Sequence, residues 1–252
     1  MSARTQQVAV PLLLLIVWQT LSATAVIQTQ LLPSPYQIGS ALWELGHDPA
    51  VWRSLWVTTM RALGGLVLGV AVGVPLGVAM ATSRVVDHVF GPLVAMTYSL
   101  PKVALFPLLV LWLGVGHATA VLSVFLACLL PVVVHSFQGV REVPKALIWS
   151  SRAMGDSTLR RLLQVQLPAS AVQICAGVRV ALGFAWVVAI STEMIAAREG
   201  IGKSVFLYGE SGAYAFMFAG IFAILFIAFA LDRAWLWASR RWLAWSEPGP
   251  ER

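Results

Sequence analysis

The sequence predicts an all-α membrane protein with about six transmembrane helices. Three observations carry that prediction. Hydrophobic residues make up 59% of the 252 and charged residues 11%, whereas a soluble domain carries about 25% charge. The apolar residues fall in long runs, each near the ~20 residues a helix needs to cross a bilayer. The lysines and arginines gather in alternate connecting segments, the asymmetry that orients spans in a membrane. The net charge of +6 follows from that gathering and is no sign of nucleic-acid binding.

The spans fall at about 8–26, 57–82, 90–114, 117–138, 172–196 and 213–236. The first has a long apolar core and no small-x-small cleavage site before Gln28. It therefore reads as a retained span rather than a signal peptide. With the N terminus inside, the inner segments hold Arg4, then Arg84, then Arg141, Lys145, Arg152, Arg160 and Arg161, and last Arg233, Arg240, Arg241 and Arg252. The outer segments hold Arg53, Arg198 and Lys203. This bias puts both termini in the cytoplasm. The expected organisation is an N-terminal helix and outer segment over 1–53, a transmembrane domain over 54–237 with an inner loop at 139–170, and a cytoplasmic tail over 238–252.

In the second span Gly65, Gly69, Gly73 and Gly77 recur every fourth residue. On a helix they form one smooth stripe that another helix can approach closely, with Pro75 nearby as a source of bending. The partner helix could belong to the same bundle, or to an intersubunit or moving interface. The third span holds Pro101 and Pro107. Neither donates a backbone hydrogen bond, which lipid tolerates only where protein or a water-filled cavity supplies partners. Lys102 beside the first break should face the bundle interior. A pathway or gate and an internally paired kink both fit these residues. Glu193 falls about one turn from the outer end of the fifth span, where a carboxylate is rare and hints at function. It could shape a gate or a subunit contact, or pair with Arg198 or Lys203.

Chemistry of other kinds finds little support. Cys128 and Cys175 give no disulfide framework and no metal-ligand spacing. His47, His88, His117 and His135 show no metal spacing either, and no nucleophile stands beside a base. Gly202-Lys203-Ser204 looks like the end of a phosphate-binding loop. Such a loop needs a glycine where Ala197 stands, and an apolar helix rather than a strand precedes it. The stretch reads as a turn after the fifth span, its glycines supplying positive φ.

The inner loop "GVREVPKALIWSSRAMGDSTLRRLLQVQLPA" is too long for a simple turn. Pro144 suits a first helical position. A short helix should run from Lys145 to Met154, with Gly155 ending it in a left-handed cap. Asp156 or Ser157 can cap a second helix, which aligns Leu159, Leu162 and Leu163 on one face and should end before Pro168. The first helix presents Ile148, Trp149 and Met154 but is too short to be stable without a packing partner. Such a projection fits a groove on another protein, or a membrane surface where its arginines meet anionic lipid.

This loop resembles that of importer-type ABC transporter permeases. Their pattern is Glu-Ala-Ala, three residues, Gly, nine residues, Ile-x-Leu-Pro. Here Gly155 is followed by nine residues and then Val165-Gln166-Leu167-Pro168, while Trp149-Ser150-Ser151 stand in place of Glu-Ala-Ala. "LLPSPYQIGSAL", "SLPKVALFPLLVLWLGVG" and "GVRVALGFAWVVAISTEMIAAREGIGKSVF" are similar to the nitrate/sulfonate/taurine branch, so the resemblance covers nearly the whole chain. It implies the type I ABC importer transmembrane fold and a bacterial inner-membrane permease that is not itself an enzyme. The implied cargo is a small anionic solute of the nitrate, sulfonate or taurine kind. The implied partners are a second, identical permease, two ATPase subunits that hold ATP and Mg, and an extracytoplasmic binding protein. Coupling to the ATPase falls to Pro144, Lys145, Ile148, Trp149, Ser150, Ser151, Met154 and Gly155, with Leu167 and Pro168 closing the motif. Pro101, Lys102, Pro107 and Glu193 are the candidate path or gate. The alternative class is an ion-gradient-driven secondary transporter, which needs membrane-embedded carboxylates and often an inverted repeat; Glu193 is the nearest approach to one.

Overall fold

The structure, a computed structural model, describes residues 3–24, 31–98, 100 and 102–245. Its elements are α1 (Ala3–Ala23), α2 (Pro35–His47), α3 (Pro49–Thr82), α4 (Arg84–Tyr98), a 3-10 turn (Lys102–Leu105), α5 (Phe106–Leu113), α6 (His117–Arg141), α7 (Lys145–Ala153), α8 (Thr158–Arg161), a π-turn (Leu162–Gln166), α9 (Leu167–Ala196), α10 (Ile201–Glu210) and α11 (Tyr214–Trp242). Among the described residues four stretches are long and apolar enough to cross a membrane: Pro49–Thr82, His117–Arg141, Thr158–Ala196 and Tyr214–Trp242. Leu12–Ser22 and Val103–Leu113 are shorter apolar helices. Together these occupy the six regions that hydropathy marks.

The third region departs most from a simple span. It is not one helix over 90–114, because α4 stops at Tyr98 and α5 starts afresh at Phe106. Pro107 does not break a helix. It sits in the first turn of α5, where its missing N–H has no partner to lose. The fifth span departs in the opposite sense. The second helix of the inner loop does not end before Pro168, since α8, the π-turn and α9 form one continuous stretch, Thr158–Ala196. At the junction the Leu167 N–H reaches back five residues to the Leu162 carbonyl. This wider turn changes which carbonyl the proline ring faces, so the helix passes through.

The chain divides into two compact units, Met1–Thr58 with Glu193–Ile227, and Thr59–Thr192 with Ala228–Arg252. In the first, Ser34 and Gln37 form a capping box at the start of α2: the Gln37 N–H donates to Ser34 Oγ at 3.2 Å and the Ser34 N–H to Gln37 Oε1 at 2.9 Å. Ile38, Ala41 and Leu45 then fall on one buried face of α2. In the second unit α6 is the central helix, with Val124, Ala127, Cys128, Val132 and Val133 all buried.

Candidate functional site

The glycine stripe of α3 lies against α6. An ideal Cβ on Gly65 would stand 2.5 Å from Val124 Cβ, on Gly69 2.8 Å from Cys128 Cβ, on Gly73 2.9 Å from Val132 Cγ1, and on Gly77 2.5 Å from the Val133 carbonyl oxygen. Each distance is too short for a real side chain, so the two backbones meet along three turns only because the stripe is bare. The partner helix is therefore in the same chain. α6 also approaches α9: a Cβ on Gly139 would meet Gln173 Cβ at 2.9 Å and the Ser170 carbonyl at 3.2 Å, and one on Gly177 would overlap His135. The two helices that flank the inner loop are thus clamped together at its base.

From that base α7 projects. Pro144 is its N-cap and Lys145 its first residue; Met154 is the C-cap and Gly155 follows at φ 82°. The turn is a complete Schellman motif. The Asp156 N–H donates to the Ser151 carbonyl at 3.1 Å, and the Gly155 N–H to the Arg152 carbonyl at 3.0 Å. Ser157 caps α8 by accepting the Arg160 N–H at 3.3 Å. Ser151 is buried, whereas Trp149 is 63% exposed and Met154 74%. Lys145 and Ser150 are also exposed, Ile148 is half-buried, and Leu167 and Pro168 lie half-buried in the first turn of α9. The outer side of α7 therefore carries an unburied aromatic and a thioether.

Glu193 is 1% exposed. Its carboxylate accepts the Thr58 hydroxyl, with Oε2 2.8 Å away, and the Gly202 N–H at 3.0 Å. Thr58 Oγ1 in turn accepts the Ile201 N–H at 3.0 Å. The first two amides of α10 are thus satisfied by side chains of α3 and α9. A carboxylate there also complements the positive end of the helix dipole. Gly200 has φ 120°, and a Cβ on it would fall on the Glu193 carboxyl group. Gly202, by contrast, is an ordinary helical residue in α10, so only one glycine of the pair supplies positive φ. The phosphate-loop look of Gly202-Lys203-Ser204 has a physical basis: this helix N-terminus does hold an acidic side chain, that of Glu193. Lys203 Nζ donates to the Arg198 carbonyl at 2.9 Å.

Polar pairs also lie within the second unit. Arg61 is 4% exposed and its Nε donates to His117 Nδ1 at 3.3 Å. Arg179 forms a bidentate pair with Asp232, at 2.7 and 3.0 Å. The sequence reading did not single out Asp232; one acid inside the apolar run of α11, at a depth shared with an arginine of α9, was the available signal. Pro101 lies outside the described residues, and so does the side chain of Lys102, whose backbone opens the 3-10 turn. Among the described residues no cluster of three or more His, Cys, Asp or Glu could hold a metal ion.

Residues 73–243, which include the clamped loop, match the family described as binding-protein-dependent transport system inner membrane component. The chain belongs to this family of ABC importer permeases. Among its relatives is the taurine transport system permease protein TauC of Escherichia coli, 32% identical over 92% of this chain and 86% of that one. The putative aliphatic sulfonates transport permease protein SsuC of the same organism is 30% identical over 94% of this chain and 90% of its own. A chain of the MetNI methionine ABC transporter, solved in an inward-facing conformation, superposes with a TM-score of 0.65 at 18% identity, covering 80% of this chain and 99% of its own. The fold is therefore the type I importer transmembrane fold. The departure at Trp149-Ser150-Ser151 leaves that fold intact.

Proposed function

We propose that this permease carries a small anionic solute of the sulfonate, taurine or nitrate kind inward, driven by a separate ATPase that grips α7. The observation that carries this reading is the build of α7: nine residues, an exposed Trp149 and Met154 at the tip, and a stem fixed by the Gly139 and Gly177 contacts. Nine residues do not hold a helix in water by themselves, so the bare apolar tip fits a groove on another protein. The inner bias of lysine and arginine puts that tip in the cytoplasm, where ATP is.

ATP and its magnesium would sit on the partner. This chain contributes no covalent chemistry. Two copies would line the path, with the broken segment around Pro101, Lys102 and Pro107 facing it, and a binding protein would deliver solute from outside. Closure of the ATPases would move α7 as a rigid body and carry α6 and α9 with it, a switch between two packings. The ion-gradient alternative loses support, because Glu193 serves as the cap of α10.

The test is to co-express the chain with a candidate ATPase and binding protein of the taurine or sulfonate kind, then compare Gly155→Leu and Trp149→Ala with the parent. Open space surrounds Gly155, so a leucine there strains the turn without a clash. Loss of ATPase binding, or hydrolysis without uptake, is expected for both. ATP-dependent uptake of labelled taurine or nitrate at the parental rate in both variants would overturn the assignment.

A further inference from the structure

The α7 turn carries a side-chain latch that its backbone motif does not require. In a Schellman turn the residues three before the cap and two after it usually touch through apolar side chains. Here those positions hold Ser151 and Asp156, and the Ser151 hydroxyl donates to Asp156 Oδ2 at 2.8 Å. The other carboxylate oxygen, Oδ1, lies 3.3 Å from Arg160 Nε. The single N–H of that Nε donates to Gln164 Oε1 at 3.0 Å, inside the π-turn, so Arg160 holds Asp156 by charge. One carboxylate, its side chain 14% exposed, therefore ties the last turn of α7 to the stretch that continues as α9.

From this geometry we infer that Asp156 is a positioning residue for coupling: it bridges the Gly155 hinge so that α7 and the Thr158–Ala196 helix move together. The inference rests on reading α7 as the ATPase-coupling helix. Gly155 alone would leave a joint held by two backbone bonds and free to flex. The carboxylate spans that joint from the buried side, leaving Trp149 and Met154 outside for a partner. Displacement of the tip then reaches α9 as a rotation of one body, not as bending at residue 155.

Two measurements test it on the full chain. In proteoliposomes with the ATPase and binding protein that support uptake by the parent chain, Ser151→Ala and Asp156→Asn should each raise the ATP consumed per labelled taurine imported by about fivefold, the effect of losing one hydrogen bond worth about 1 kcal/mol. The double variant should be no worse than the weaker single. An unchanged ratio in both singles overturns the inference, as does parallel loss of hydrolysis and uptake, which would mark a merely structural role. In detergent, without any partner, amide hydrogen exchange at 154–157 should quicken several-fold in Asp156→Asn; unaltered exchange also overturns it. Failure of the coupling-helix reading looks different: the wild-type chain would then not bind the ATPase through α7, while exchange would still report the latch.

Discussion

Two helix ends in this permease are made of the same parts, a positive-φ glycine and a carboxylate, and they differ in what surrounds them. At the end of α7, Gly155 has φ 82° and open space within 4 Å of where a Cβ would stand. At the start of α10, Gly200 has φ 120° and its missing Cβ is the room that Glu193 occupies. Asp156 keeps 14% of its side chain in contact with solvent, whereas Glu193 keeps 1% of the residue. The first end is a projection whose outer side is free to meet another surface. The second is sealed, and every partner named for it belongs to this chain. Similar local chemistry thus serves a working surface in one place and a structural plug in the other.

The widest separation between the two should come from alanine at each glycine. Gly155→Ala pays only for the left-handed backbone, about 1 kcal/mol. Gly200→Ala combines strain in a region reserved for glycine with displacement of a buried carboxylate from its donors, a loss of about 4 kcal/mol or more. Unfolding of the purified chain in detergent would compare them. Equal losses would break the contrast drawn here between an open end and a sealed one.

Removing one hydroxyl from each end should give a smaller gap of the same sign. Thr58→Val deletes the donor to Glu193 and the acceptor for the Ile201 N–H in a buried setting, at a cost of about 2 kcal/mol. Ser151→Ala deletes one bond to a carboxylate that water can still reach, at a cost of about 1 kcal/mol. The same unfolding assay reads both. A larger loss for Ser151→Ala would mean that the latch, not the plug, bears more of the stability.

These two ends also differ in how far the sequence disclosed them. The α7 end obeys rules that act within six residues: Pro144 to open, Gly155 to stop, and Asp156 or Ser157 to cap the next turn, a place the structure gives to Ser157. All three were legible, with boundaries displaced by one residue. The α10 end joins Thr58 to residues 135 and 143 positions away. Glu193 was visible as a rare carboxylate, but no local rule could name Thr58 as its partner, and the neighbouring Arg198 and Lys203 looked closer. The glycine stripe sits between these cases. Its period announced a bare helix face, yet that the face meets Val124, Cys128 and Val132 is a fact of packing, not of spacing. Pro168 does not end its helix because helix-ending rules assume an α turn, and a π-turn precedes it. Asp232 carries no local signal of its role, because its partner Arg179 lies 53 residues away.

The finest probe of the sealed end is a tyrosine. Tyr208 rides on α10, and its phenol is pushed above the ordinary tyrosine range, chiefly by burial and then by the charges of Asp48 and Glu44. The fold therefore favours the neutral phenol. That contribution is complete below the ordinary value of about 10 and is lost as pH rises through it to the raised one. Near-ultraviolet titration of the phenolate would follow it. Asp48→Asn should bring Tyr208 part of the way down, because a lesser cause is removed. Glu193→Ala should bring it further, because freeing the start of α10 from Thr58 and Glu193 undoes the burial itself. If Tyr208 titrates in Glu193→Ala where it does in the parent, α10 keeps its seat without the carboxylate, and the plug is no more than a cap.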